Sequence, residues 1–167
     1  DETLARKMKM FANHGALIKH QHEIPGINSR MDGIQAAVLL TKLPYIKRWN
    51  RLRAKNADLY KRALKNIPEI KIPKTRPGAN PIFHLYVIRT PKREQIRKIL
   101  ENNGIETAVH YPVALPFMKA FADFQCKPED FPVAGCYQHE ILSLPMYPEL
   151  SAAAIREIGA VLRTIFS

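Results

Sequence analysis

The chain is poor in cysteine: Cys126 and Cys136 are the only two in 167 residues. Two are too few to imply a disulfide framework, and no second Cys or His pair accompanies them at zinc-ligand spacing. They read as two reduced thiols, which sets the expected compartment as the cytoplasm. No apolar run approaches the roughly 20 residues of a membrane span, so no membrane partner is expected. The start, Asp1-Glu2-Thr3-Leu4-Ala5-Arg6, opens acidic and lacks both an apolar signal-peptide core and an initiating Met. It reads as a cut or processed end. There is no internal repeat and no low-complexity segment, and the composition excludes disorder, collagen and a coiled-coil rod.

Acidic residues are scarce beside basic ones. Asp and Glu total 15 against 26 Lys and Arg, a formal net charge of +11. That balance invites a nucleic-acid reading, because a basic surface attracts phosphates. Much of the excess sits in one stretch, Lys47, Arg48, Arg51, Arg53, Lys55, Lys61, Arg62 and Lys65, which reads as a solvated helix face. No aromatic motif of the RNA-recognition type accompanies it. What is plentiful is ordinary: 46% hydrophobic residues, enough for one globular domain with a core.

The spacing of apolar residues predicts a short helix over 4–13, closed by Asn13-His14-Gly15. Residues 16–29 have no clear period and read as a polar loop, with Pro25-Gly26 as a turn. Residues 31–43 are apolar nearly all round, which predicts a buried helix broken at Pro44. A second helix follows over 45–66 with the stripe Ile46, Trp49, Leu52, Asn56, Leu59 and Ala63. The run 82–89 reads as a central strand, apolar on both faces. Thr90-Pro91 starts a helix that ends at Asn103-Gly104. A second strand over 105–109, a short helix near 117–124, a helix over 132–140, a third strand over 141–144 and a last helix capped by Ser151 complete the pattern. Together they make an α+β fold.

Three groups of residues stand out for chemistry. Asn28 and Arg30 lie just before the apolar helix. Arg offers a rigid fork to carboxylate or phosphate, and a helix start favours an anion. His110 and Tyr111 lie at a strand end before a proline, a position that suits a pocket rim. There His can donate, accept or carry charge, and Tyr can stack and still hydrogen-bond. His20 and His22 form an H-x-H with no third ligand at metal spacing, so no metal is expected.

The run Gly26-Ile27-Asn28-Ser29-Arg30-Met31-Asp32-Gly33-Ile34-Gln35-Ala36-Ala37 resembles the signature G-x-N-x-R-M/L-D-x-I/L-Q-A-A of the DegT/DnrJ/EryC1/StrS aminotransferases. Further resemblances follow in order. They are Lys42-Leu43-Pro44 with Trp49 and Arg53, Phe83-His84-Leu85-Tyr86-Val87-Ile88-Arg89, the run from Gly104 to Pro112, and Leu142-Ser143-Leu144-Pro145-Met146-Tyr147-Pro148. The resemblance implies the small C-terminal domain of a fold-type I pyridoxal-phosphate (PLP) transferase. Such a domain has a long helix and a small, mostly antiparallel sheet with flanking helices. The implied division is 1–30 as the end of a large-domain region with an active-site loop, 31–66 as a kinked inter-domain helix and 67–167 as the small domain.

In function, the resemblance implies a cytoplasmic, homodimeric enzyme of nucleotide-sugar and polysaccharide biosynthesis. It would move an amino group, usually from glutamate, to a keto-sugar on a nucleotide. Asn28 would reach the cofactor phosphate across the dimer, and Arg30, His110, Tyr111 and His22 would contact substrate. No catalytic residue is expected in this chain, because the family's Schiff-base Lys lies upstream of the segment that begins here. The chain alone is therefore expected to be inactive. The pattern departs from the family's at Ala114, Pro116 and Met118, where Pro, His and Gln are common, so a second histidine contact is absent. The rival readings are a nucleic-acid-binding module and a non-catalytic dimerisation protein.

Overall fold

Asp1 caps the first helix, α1 (Glu2–Phe11), by accepting the Leu4 N–H on its carboxylate at 3.1 Å. That cap starts the helix two residues before the apolar pattern does. The computed structural model describes residues 1–166, which fall into two units, Asp1–Ile46 and the part from Lys47 onward.

In the first unit, α1 leads into a small antiparallel hairpin of β1 (Ala16–Ile18) and β2 (Gln21–His22). The expected structureless loop over 16–29 is thus corrected. Strands of three and two residues are too short for any period to register. Helix α2 (Gly33–Lys42) is capped by Asp32, whose N–H donates to the Gln35 side chain at 3.1 Å. A turn of 3-10 helix, Leu43–Tyr45, follows at Pro44, where the break was expected. The expectation that this helix is buried is overturned. None of its residues is buried, and Ile34 is 82% exposed.

In the second unit, α3 (Ile46–Leu64) buries Asn56, Ala57, Tyr60 and Leu64, a stripe rotated from the expected one. Tyr60 explains the rotation. Its ring stacks on Tyr86 at 4.7 Å, and its hydroxyl donates to the Pro145 carbonyl at 2.8 Å. Strand β3 (Tyr86–Arg89) pairs antiparallel with β4 (Ile141–Leu144), Tyr86 opposite Leu144 and Arg89 opposite Ile141. Isolated bridges extend this ladder on both sides, Lys71 to Arg89 and Ala108 to Ser143. The expected strand over 82–89 is therefore only its second half, with burial alternating rather than two-sided. The expected strand over 105–109 contracts to the single bridge at Ala108.

Helix α4 (Arg93–Asn102) starts three residues after Thr90, which is buried and accepts the Lys92 N–H on its hydroxyl instead of capping the helix. Gly104 ends it with φ +71°, as a left-handed cap should. Short 3-10 turns over Leu115–Phe117 and Lys119–Phe124 precede α5 (Pro132–Glu140). Helix α6 (Ala152–Thr164) is capped by Ser151, whose hydroxyl accepts the Ala154 N–H at 3.1 Å. Ile88, Ile96, Leu100, Leu142, Ile155 and Leu162 form the centre of the core. At roughly 1.5–3 kcal/mol for each large apolar side chain removed from water, this cluster is the main stabilising element of the unit.

Candidate functional sites

The loop that carries Asn28 is held by backbone pairing. The Ile27 N–H donates to the Phe11 carbonyl at 2.8 Å, His14 N–H to the Ile27 carbonyl at 2.9 Å and Ser29 N–H to the Ala12 carbonyl at 2.8 Å. Such close backbone contact requires glycine at two places. A Cβ on Gly26 would overlap the Gly15 nitrogen and the Phe11 carbonyl, and one on Gly15 would overlap the Ile24 carbonyl. Gly15 also has φ +82°.

This pairing brings side chains together from both ends of the unit. The Arg30 guanidinium donates from Nε to Asn28 Oδ1 at 3.2 Å and from Nη1 to Asn13 Oδ1 at 2.9 Å. Asn13 in turn donates to the Ala16 carbonyl at 2.8 Å. Arg30 and His22 line one hollow of about 410 Å³ with Asn13, His14, Lys19 and His20, and no carboxylate lines it. His22 donates from Nδ1 to the His14 carbonyl at 2.8 Å, so its ring is oriented and Nε2 is the remaining nitrogen. Among the described residues, Asn28 Nδ2 and Arg30 Nη2 have no protein acceptor. The arrangement is a set of convergent N–H donors, chemistry suited to an oxyanion. The start of α2 does not share in it. At that helix end Asp32 and Gln35 form a capping box that engages the N-cap and Gln35 N–H groups.

The second unit has a cleft of about 640 Å³ between the 103–108 turn, the 143–150 segment and α6. His110 lines it and bonds through Nδ1 to Ser143 Oγ at 2.8 Å. The floor is fixed from below: Tyr60 bonds the Pro145 carbonyl, and buried Asn56 donates to the Tyr147 carbonyl at 3.1 Å. Glu106 and Glu157 line the cleft and no Lys or Arg does. Tyr111 does not line it. It is 71% exposed with φ +62°, an uncommon backbone for a non-glycine residue. The Ala114 N–H donates to the Gln138 side chain at 2.9 Å, tying the following loop to α5.

The structure thus gathers Asn28, Arg30 and His22 in one unit and sets His110 on a cleft wall in the other. Two partners were missed in the sequence, Asn13 and Ser143. Asn13 reads as part of a helix end. The only signal for Ser143 is a polar residue inside an otherwise apolar strand. Of the eight basic residues expected on a solvated face, Lys47, Arg48, Arg51, Lys55, Lys61, Arg62 and Lys65 are exposed, whereas Arg53 is half-buried, with its Nε buried and without a hydrogen-bond partner among the described residues, which corrects the expectation at that position.

A model of the DegT/DnrJ/EryC1/StrS aminotransferase family matches residues 1–163. The chain is 39% identical to dTDP-3-amino-3,4,6-trideoxy-alpha-D-glucose transaminase of Streptomyces venezuelae, over 96% of this chain and 43% of that protein. It is 38% identical to the erythromycin biosynthesis sensory transduction protein EryC1 of Saccharopolyspora erythraea, over 98% of this chain and 44% of that one. The crystal structure of S. venezuelae DesV in complex with a ketimine intermediate superposes with a TM-score of 0.94 at 34% identity, covering 99% of this chain and 44% of that one. The chain therefore spans less than half the length of the relatives it matches, and it belongs to the DegT/DnrJ/EryC1/StrS aminotransferase family.

Proposed function

We propose that this chain is the C-terminal part of a PLP-dependent aminotransferase acting on a keto-sugar carried by a nucleotide. Glutamate is the amino donor, and the working protein is a cytoplasmic homodimer. The observation that carries the reading is the cluster of Asn13, Asn28 and Arg30, built by glycine-dependent backbone contacts at Gly15 and at Gly26, the first residue of the family signature. The Streptomyces venezuelae relative, named as a transaminase of a dTDP-linked sugar, supports the substrate class.

The donor set fits the cofactor's phosphate. Asn28 Nδ2 and Arg30 Nη2 are N–H donors without a protein acceptor, and no carboxylate lines the adjoining hollow to repel an anion. Asn28 would hold that phosphate across the dimer, and Arg30 would meet anionic groups of the substrate. When bound, PLP supplies the electron sink that amino transfer requires. His22, with Nε2 unengaged, lines the same site. His110 and Tyr111 would contact the sugar nucleotide. The carboxylates of the His110 cleft, and the lack of a cation among its lining residues, favour the uncharged sugar there over its diphosphate.

The Schiff-base Lys belongs to a part of the protein that this chain does not include, so the chain alone is inactive. The exposed apolar residues of α2, Ile34, Leu39 and Leu40 among them, support the same reading, since solvent-facing apolar surface of this kind marks a contact with further protein. The test joins the chain to the segment encoded upstream of the Asp1 codon. Amino transfer from glutamate to dTDP- and UDP-linked keto-sugars is then measured with and without Asn28→Ala. The expected outcome is amination by the parent and a loss of cofactor retention of about tenfold or more in the variant, the equivalent of one charge-assisted hydrogen bond. Unchanged retention would overturn the role of Asn28, and no amination of either sugar class would overturn the function.

A further inference from the structure

We propose that Ser143 is a positioning residue that fixes the tautomer of His110, so that the ring presents an Nε2–H donor to an acceptor oxygen of the ligand. The inference rests on the reading of His110 as a substrate contact and adds a residue that the site had not included. Ser143 lies on β4 between Leu142 and Leu144 and is 5% exposed. Its backbone is pinned on the Ala108 side by a two-way bridge. The Ser143 N–H donates to the Ala108 carbonyl at 2.8 Å, and the Ala108 N–H donates to the Ser143 carbonyl at 3.2 Å. With the main chain fixed, the side chain contributes a single hydroxyl.

That hydroxyl lies 2.8 Å from His110 Nδ1, and among the described residues it has no other partner. Two arrangements satisfy the distance. If Nδ1 carries the proton and donates to Oγ, the hydroxyl hydrogen of a buried serine is left without an acceptor, a loss of about 1–3 kcal/mol. If the hydroxyl donates to Nδ1, both groups are satisfied, and the neutral ring must carry its proton on Nε2. The second arrangement wins on that margin. His110 and Ser143 line the same cleft, and with Nδ1 engaged, Nε2–H is the ring's remaining polar group. A neutral N–H donor selects a carbonyl or hydroxyl oxygen. A wrong tautomer would set a lone pair against it.

The experiment is ¹⁵N NMR of the histidine rings in the intact chain, with the His110 signals assigned by their loss in His110→Gln. The expected result is one protonated nitrogen, Nε2, and an unprotonated Nδ1 in the wild type. Ser143→Ala should replace that pair with the averaged shifts of a freely exchanging ring, and Ser143→Thr, which keeps the hydroxyl, should restore it. An Nδ1–H ring or averaged shifts in the wild type would overturn the proposal, even if the alanine variant fails to fold. Shifts unchanged by Ser143→Ala would overturn it as well. The outcome is independent of activity. If the tautomer holds but His110→Gln leaves the KM of amino transfer unchanged in the longer polypeptide, the substrate-contact reading falls and the role of Ser143 in fixing the ring stands.

Discussion

The unit from Lys47 onward and the unit Asp1–Ile46 are held together by different forces. The second keeps Tyr60, Ile88, Leu100, Leu142 and Ile155 within 2% of full burial, and its polar groups Asn56 and Tyr60 find partners. The first has Met10 and Ala16 as its buried apolar side chains. Its shape comes from backbone pairing around two glycines and from the Arg30 cluster. Backbone hydrogen bonds contribute only about 0.5–1.5 kcal/mol each in net terms, because water competes for the same groups. Burial of a full apolar cluster contributes far more. The second unit is therefore a scaffold that stabilises itself. The first is a loop and a helix with little buried apolar surface of their own, so the order of the helix is expected to depend on apolar cover.

The largest test of that contrast pairs two leucines. Leu142→Ala, at a fully buried site, should cost about 2–5 kcal/mol in denaturant unfolding, whereas Leu40→Ala on α2, 68% exposed, should stay within about 0.5 kcal/mol. Equal effects would break the comparison. Alkali offers the next largest effect. Burial pushes the Tyr86 phenol from its ordinary 10.0 up to about 12, and it pushes Tyr60 up as well. The folded form holds these protons more tightly than the unfolded chain. For Tyr86 the stabilising contribution is therefore complete below pH 10 and is lost as pH rises toward 12, at a limiting slope of about 1.4 kcal/mol per pH unit, and Tyr60 adds the same slope over a range that extends to higher pH. A titration of unfolding free energy should follow the sum of the two slopes, and Tyr86→Phe should reduce it by about half.

Gly15→Ala sharpens the other side. The new Cβ meets the Ile24 carbonyl in a left-handed backbone, so the 11–28 pairing should open at a local cost of about 1–3 kcal/mol. Amide exchange there should accelerate about tenfold or more while the β3–β4 ladder is unmoved. The smallest expected difference uses the same bond in both units. Ser151 and Asp1 each cap a helix at 3.1 Å. Ser151→Ala should lower global stability by about 1 kcal/mol. Asp1→Ala should fray α1 and leave the global midpoint unchanged.

The two units also differed in how much the sequence disclosed. Helices of nine residues or more with an apolar face, such as α4 and α6, follow directly from their spacing, and Pro44 and Gly104 punctuate the chain where their chemistry requires. Elements formed by one or two backbone bonds, such as β1, β2 and the Ala108 bridge, leave no period to read. The α2 helix shows the opposite error. Its composition demands burial, but burial is a property of what covers a helix, and no residue of α2 is buried here. At the sites, Asn28, Arg30 and His110 were legible because their residue types carry chemistry. Asn13 and Ser143 were not, because each acts through a contact across the fold, 17 and 33 residues away in sequence.

The most direct test of the account is hydrogen–deuterium exchange on the chain by itself. Amides of α4, α6 and the β3–β4 ladder should exchange only through global unfolding. Those of α2 and of the 11–28 pairing should exchange through local opening, faster by about 100-fold or more. Protection of α2 equal to that of α6 would contradict the account, because it would mean that the apolar helix is ordered without the cover its exposed face requires.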